Sequence, residues 1–289
     1  MKIAGFTFIR NAVLYDYPIV EAILSVLPLC DEFVVAVGKS EDDTIELIRN
    51  INSSKIKIIE TVWDDTLREG GRVLAIETDK AYQAISDDVD WAFYIQGDEV
   101  IHEKYLPNIE KAMLQWNDDK SIDGLLFDYL HFYGSYDYVG LSPKWYAHEI
   151  RIVRKNKYIY SYRDAQGFRK NKNEKLLVKK IDAYVYHYGW VKPPSKQQLK
   201  QQTFNKLWHD DAWLDKNVSK GDSFDYSGID ALSRFEGSHP KVMQNRIDKK
   251  NWQFDFDLSK NSLSIKYKAK LFLKKFLGID FSYKNYRLK

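Results

Sequence analysis

Four short apolar runs alternate with segments of helical spacing in the first hundred residues. Runs of this length are typical of strands buried on both faces of a sheet. The predicted strands are Ile3–Ile9, Phe33–Val37, Ile56–Val62 and Trp91–Gln96. Helical spacing of apolar residues predicts helices over residues 17–29, 45–51 and 73–85. Such a β-α-β alternation predicts a parallel sheet whose loops after the strands lie along one edge.

The pattern changes after residue 100 but still alternates between strands and helices. Predicted helices cover Lys104–Trp116, Lys196–His209 and Ile265–Leu277. Predicted strands cover Gly124–Phe132, Glu149–Val153, Lys157–Arg163 and Ala183–Trp190. No linker rich in Pro, Gly or Ser divides the chain. We therefore predict one α/β domain over residues 1–235 and a basic C-terminal extension over residues 236–289.

Two carboxylates follow the fourth predicted strand, in Gly97-Asp98-Glu99. Ligands of open α/β sheets bind beyond the carboxyl ends of the strands, where Asn11, Asp42 and Asp98 should gather. Adjacent carboxylates suit a hard divalent cation that also binds phosphate oxygens. The alternative is a solvated acidic turn that closes a core strand.

Composition narrows the function classes only slightly. The net charge of +3 gives no reason to expect nucleic acid as a partner. The single cysteine, Cys30, excludes an internal disulfide and a cysteine-based zinc site. We find neither a signal-peptide pattern nor a run of about 20 apolar residues. A cytoplasmic location is therefore expected.

Three motifs at the predicted sheet edge resemble those of glycosyltransferase family 2. They are Arg10-Asn11 after the first strand, Ser40-Glu41-Asp42-Asp43-Thr44 after the second, and Gln96-Gly97-Asp98-Glu99 after the fourth. The resemblance implies a GT-A fold, a Rossmann-like and mostly parallel sheet flanked by helices, here with a helical C-terminal extension. The sequence departs from the family at Val37 and Gln96, where the family usually has Asp. The family's Ala-Arg-Asn motif is absent near Asp79-Lys80.

The resemblance also implies a donor site and a metal. Mn²⁺ or Mg²⁺ would be held directly by Asp98, through water by Glu99, and by His187. Glu99 could instead position the sugar or Asp98. A nucleotide-diphosphate-sugar, with UDP as the expected nucleotide, would contact seven further residues. These are Phe8, Arg10, Asn11, Asp42, Arg72, Lys80 and Gly97. Two alternatives remain open: Asp42 can be a helix cap, and His187 can be a hydrogen-bonded core histidine.

An inverting sugar transfer needs a general base for the acceptor hydroxyl, and a carboxylate suits this role. The candidates are Asp164 and Glu149. Asp164 is favoured because an acid on a loop reaches a sugar more easily than one on a strand. The alternatives are a turn residue for Asp164 and an ion pair, for example with Arg151, for Glu149.

The predicted function is an inverting, metal-dependent glycosyltransferase with a glycan or lipid-linked acceptor. Two other functions stay open. A sugar-phosphate nucleotidyltransferase shares the topology and the metal, although the loop at Arg10-Asn11-Ala12 lacks its glycines. A non-catalytic carbohydrate-binding or scaffold subunit would explain Gln96.

The helix predicted at Ile265–Leu277 mixes lysines with an apolar stripe. It can pack this stripe on the domain and leave its lysines in solvent, which is the favoured interpretation. It can also lie on an anionic membrane surface, so peripheral attachment to the inner membrane face stays open.

Overall fold

The computed structural model describes residues 1–277 and 283–289 as an α/β protein with fourteen strands and eight α-helices in those ranges. The strands are β1 (Ile3–Ile9), β2 (Glu32–Gly38), β3 (Ile56–Thr61), β4 (Trp91–Tyr94), β5 (Glu99–Ile101), β6 (Gly124–Tyr133), β7 (Tyr138–Gly140), β8 (His148–Arg154), β9 (Ile159–Tyr162), β10 (Gly167–Lys170), β11 (Glu174–Lys175), β12 (Leu177–Trp190), β13 (Leu232–Arg234) and β14 (Arg287–Leu288). The helices are α1 (Ile19–Val26), α2 (Thr44–Arg49), α3 (Arg72–Gln83), α4 (Leu106–Trp116), α5 (Pro194–Phe204), α6 (Asp211–Asn217), α7 (Gln244–Asp248) and α8 (Ile265–Leu277).

The main sheet has the order β3-β2-β1-β4-β8-β6-β12. Strands β3, β2, β1 and β4 are parallel. Strand β8 is antiparallel to both β4 and β6, and β12 is parallel to β6. Along this path β8 alone runs in the reverse direction. The predicted fold class, a mostly parallel α/β sheet flanked by helices, is confirmed.

Both faces of the central strands are covered, as their continuous apolar runs predict. On one face Trp91, Phe93 and Ile95 pack with residues of α1 and α4. On the other face Ala92 and Tyr94 pack with residues of α3. Successive side chains of a strand point to opposite faces of the sheet, so a strand that is apolar at every position must be buried on both faces. The carboxyl ends of β1 and β4 therefore open onto the edge of the sheet between two layers of helices.

The residues after 235 pack on the same body as the residues before it. Arg246 binds Asp16 at 2.7 Å and Glu21 at 3.0 Å. The indole of Trp252 donates to the carbonyl oxygen of Gly134, and β14 pairs with β12. The proposed division near residue 235 stays a prediction.

Helix α8 is present at its predicted bounds, but its favoured orientation is wrong. Ile265 is 88% exposed and Phe272 is 57% exposed. Tyr267, Lys270 and Leu271, on the opposite side of the helix, are half-buried. The apolar stripe thus faces solvent rather than the domain. Within residues 1–277 and 283–289 no helix has the length and hydropathy of a membrane span.

Candidate active site

A cavity of about 760 Å³ lies at the carboxyl ends of β1 and β4. It holds seven of the residues that the sequence singles out: Phe8, Arg10, Asn11, Gly97, Asp98, Asp164 and His187. The other five do not line it: Asp42, Arg72, Lys80, Glu99 and Glu149. The first group spans more than 170 positions of the chain, so the fold itself brings these residues to one place.

The ring of His187 presents a lone pair to Asp98. Nε2–H of His131 donates to the carbonyl oxygen of Tyr146 at 2.7 Å. Burial lowers the pKa of His131 to about 3, so this ring is neutral and its Nδ1 accepts a hydrogen bond. His187 donates that bond from Nδ1 at 3.0 Å. Burial lowers the pKa of His187, which favours a neutral ring whose proton is on Nδ1. Nε2 then offers its lone pair and lies 3.8 Å from Asp98 Oδ1.

Two electron-pair donors that face each other without a hydrogen between them fit a shared cation. A hydrogen bond from the other ring nitrogen commonly fixes the orientation of a metal-ligating histidine. Gly189 keeps the space open, because a Cβ there would lie 2.7 Å from His187 Nε2 and 2.8 Å from Asp98 Oδ2. Asp98 and His187 therefore fit a divalent cation whose other ligands come from phosphate and water. In the part of the chain that the structure describes, no cluster of three such side chains forms.

Lysines from the segment after β12 surround Asp98. Lys200 Nζ lies 3.3 Å from Asp98 Oδ2, and Nζ of the buried Lys192 donates to the carbonyl oxygen of Tyr15. Burial by itself would raise the pKa of Asp98, but nearby positive charge, that of Lys200 first, outweighs it and lowers the pKa to about 2. Asp98 is therefore ionised, and Lys200 supplies positive charge at the same point.

Glu99 is not placed to ligate a metal, which corrects the prediction from the motif. Its carboxylate forms two 2.7 Å bonds with the guanidinium of Arg151 and accepts a bond from Tyr129 at 2.8 Å. Glu99 and Arg151 are both almost fully buried. The acid therefore neutralises a buried arginine in the wall of the cavity.

We expect Glu99→Ala to lower the free energy of unfolding by about 3–5 kcal/mol, because it leaves the buried Arg151 without its counter-charge. Chemical denaturation measures this loss, and Glu236→Ala, at an exposed position, is the control. Unchanged stability together with weakened metal binding would contradict this role and indicate that Glu99 is a metal ligand.

Gln96 connects the turn of Asp98 to the loop of Asp164. Its amide nitrogen donates to the carbonyl oxygen of Ala165 at 3.2 Å and to the hydroxyl of Tyr94 at 3.3 Å. An aspartate could not donate either bond. Gln96 therefore has a positioning role that the sequence did not reveal.

Asp164 lies in the turn between β9 and β10 and lines the cavity. The residues on both sides of it have left-handed backbones, with φ of 57° at Arg163 and 62° at Ala165. Such conformations in residues other than glycine are uncommon and are found at functional sites. Burial raises the pKa of Asp164. A carboxylate with a raised pKa is a stronger base.

Glu149, the other candidate base, is buried outside the cavity, which argues against a catalytic role. It is 3% exposed, and its Oε2 has no hydrogen-bond partner in the described ranges. Burial, against the opposing effect of Arg151, raises its pKa to about 8. At neutral pH Glu149 is therefore a protonated core residue.

This pKa predicts a pH-dependent stability. The folded protein binds the Glu149 proton more tightly than the unfolded chain, so the stabilisation is complete below about pH 4.5 and is lost as the pH rises to about 8. Relative to wild type, Glu149→Gln should gain about 1 kcal/mol of stability per pH unit between about pH 5 and pH 8. Denaturation across this range measures the difference, with Glu174→Gln as the exposed control. Parallel profiles for wild type and Glu149→Gln would contradict the assignment.

An aromatic and charged slot forms the other end of the cavity. The rings of Phe8 and Trp63 lie 5.8 Å apart. The guanidinium of Arg10 lies over Trp63 at 5.5 Å and binds Asp65 through two hydrogen bonds. Flat rings beside fixed polar groups suit a nucleobase, which stacks on one and hydrogen-bonds with the other.

Three predicted donor contacts are used elsewhere in the fold. The carboxylate of Asp42 accepts bonds from the backbone N–H of Leu14 and of Thr44, and so joins the loops after β1 and β2. Lys80 binds Glu77 at 2.6 Å. Arg72 is exposed at the start of α3 and away from the cavity. These predicted contacts therefore do not fit the geometry.

The basic side chains that line the cavity are those of Arg10, Arg68, Arg151, Lys200 and Lys206. Lys200 and Lys206 lie in or just after α5, a segment that the sequence marks only as a polar helix. The side chains of Gln197, Gln198 and Lys200 are buried on this helix. The signal in the sequence was a polar helix directly after Pro193-Pro194. A polar helix that packs on a domain must bury some of its polar side chains.

No protein-family model matches the sequence, and no curated protein is significantly similar to it. Among solved structures, S. aureus TarS 1–349 in complex with UDP is 16% identical, with a TM-score of 0.41 over 70% of this chain and 64% of that one. Glucosyl-3-phosphoglycerate synthase from Mycobacterium tuberculosis, in complex with Mn²⁺, UDP and glucosyl-3-phosphoglycerate, is 19% identical, with a TM-score of 0.31 over 46% and 45% of the two chains. The 4-diphosphocytidyl-2C-methyl-D-erythritol synthase from Anaerococcus prevotii is 12% identical, with a TM-score of 0.36 over 66% and 91%. The chain thus spans 64% of the TarS structure, and likeness at this level is too low to assign a function.

Proposed function

We propose that this protein is a glycosyltransferase that uses a nucleotide-diphosphate-sugar, with UDP as the expected nucleotide. The observation that carries the proposal is the pair of Asp98 and His187, 3.8 Å apart, in a cavity that Lys200 also lines. A diphosphate needs positive charge, which a cation held by this pair would supply together with Lys200, and a nucleoside fits the aromatic slot in the same cavity.

Asp98 and His187 would hold Mn²⁺ or Mg²⁺, which would neutralise charge on the departing diphosphate. Lys200 would contact a phosphate oxygen, since its ammonium already lies at the Asp98 carboxylate. Phe8 and Trp63 would enclose the base, with Arg10 and Asn11 at the rim of the slot. Each of these roles uses a side chain that lines the cavity.

Asp164 would act as the general base in an inverting transfer. It would take the proton of the acceptor hydroxyl while that oxygen bonds to the anomeric carbon of the sugar. The bond from this carbon to the phosphate oxygen breaks, and the nucleoside diphosphate leaves with the electron pair. Trp190 and Tyr146, which also line the cavity, would contact the acceptor, a glycan or a lipid-linked sugar.

Thermal denaturation with a panel of nucleotides and nucleotide sugars tests this proposal. A ligand that binds only the folded state raises the melting temperature by mass action. We expect one diphosphate nucleotide, UDP before GDP or dTDP, to raise it with Mn²⁺ present, and CMP to have little effect. An unchanged melting temperature with every nucleotide would overturn the donor assignment and favour a carbohydrate-binding subunit.

A further inference from the structure

Helix α8 presents its apolar stripe to solvent. Ile265, Ala269, Phe272 and Phe276 follow the spacing of one helix face. Ile265, Phe272 and Phe276 are 88%, 57% and 63% exposed. Leu277 at the end of the helix is 62% exposed. Large apolar side chains grouped on an exposed face indicate an interaction site.

The charge around this stripe is strongly one-sided. Residues 265–277 contain five lysines and no acidic residue. Residues 265–289 contain eight basic residues and one acidic residue, although the whole chain has a net charge of only +3. The rest of the chain is therefore net acidic, and the positive charge is concentrated in the segment that exposes apolar residues. Lys266 and Lys268 are exposed on the two sides of the stripe.

We propose that α8 binds the surface of an anionic lipid bilayer. An amphipathic helix with a lysine-rich polar face lies in the interface, where its apolar residues enter the acyl boundary and its lysines meet anionic headgroups. Each lysine near such a surface strengthens binding about fivefold. A second copy of this chain fits less well, because two lysine-rich helices would repel each other. This inference does not depend on the catalytic proposal.

Co-sedimentation of the full chain with lipid vesicles tests the inference. The probes are vesicles of phosphatidylcholine alone and of equal parts phosphatidylcholine and phosphatidylglycerol. We expect binding to the anionic vesicles at least tenfold stronger than to the neutral vesicles, and weaker at high salt. Phe272→Ser should reduce binding to the anionic vesicles about tenfold, and Lys266→Glu with Lys268→Glu should reduce it further.

The matched control is Leu114→Ser on α4, since Leu114 is 58% exposed and Phe272 is 57% exposed. This variant should bind the anionic vesicles like wild type. All substituted side chains are exposed, and melting temperatures verify that each variant folds. Absent or equal binding to both kinds of vesicle would overturn the proposal. Self-association that Phe272→Ser abolishes, without vesicle binding, would assign the face to a second copy of the chain.

Discussion

Asp98→Asn should lower kcat/KM for sugar transfer about 1,000-fold, which corresponds to about 4 kcal/mol of transition-state stabilisation. The substitution keeps the size of the side chain but removes the charge that faces His187 and Lys200. A neutral amide would hold the cation poorly, so the departing diphosphate would carry its charge uncompensated. Steady-state kinetics with varied donor and Mn²⁺ concentrations measure the effect.

Two variants separate this effect from loss of folding or of general charge. Asp88→Asn changes an exposed aspartate that does not line the cavity, and it should leave kcat/KM unchanged. Lys200→Met should weaken donor binding at every Mn²⁺ concentration, because Lys200 would contact the phosphate itself. If Asp98→Asn folded normally and kept full activity, Asp98 would have no part in the reaction.

Asp164→Asn should lower kcat by about 10²–10⁴-fold, the usual contribution of a general base. Asparagine has the same size and shape as aspartate and fits the same turn, but its amide cannot take the proton of the acceptor hydroxyl. Binding of the donor nucleotide should not change, because the proposed role of Asp164 concerns the acceptor hydroxyl. Kinetics under donor saturation and a separate nucleotide titration distinguish the two effects.

Glu149→Gln is the informative comparison for Asp164→Asn. Both substitutions replace a candidate acid by its amide, but Glu149 lies outside the cavity. We expect Glu149→Gln to keep kcat within about threefold of wild type. Normal activity in Asp164→Asn with a large loss in Glu149→Gln would reverse the assignment of the base.

The four parallel strands β1–β4 and the Asp98–His187 pair follow from local signals in the sequence, whereas short strands such as β5 and β7 were not predicted. Double-sided burial leaves a continuous apolar run, and a parallel sheet places the ends of such runs together. Asp98 and His187 each lie at or near the end of an apolar strand, so their approach is a consequence of topology. Asn11 lies at the same edge for the same reason.

The errors concern partners that only the folded chain brings together. Nothing local in the sequence indicates that Glu99 meets Arg151 across the sheet, or that Lys200 reaches Asp98 from 102 positions away. Two charged side chains form an ion pair only if their atoms are close in space. The sequence gives only how far apart the two residues lie along the chain. The orientation of α8 was missed for a related reason, because an apolar stripe shows that a face is buried somewhere but not against what.

The central claim is that Asp98 and His187 hold a cation that binds the nucleotide diphosphate. Calorimetric titration of UDP, with Mn²⁺ and with EDTA, into wild type and Gly189→Ala tests it most directly. The added methyl would lie 2.7 Å from His187 Nε2 and 2.8 Å from Asp98 Oδ2, so it would push the two side chains apart without replacing either residue. Binding at least tenfold tighter with Mn²⁺ in wild type, and a loss of that gain in Gly189→Ala, is the predicted result. Equal affinities with Mn²⁺ and EDTA in wild type, or an undiminished Mn²⁺ gain in the variant, would contradict the claim.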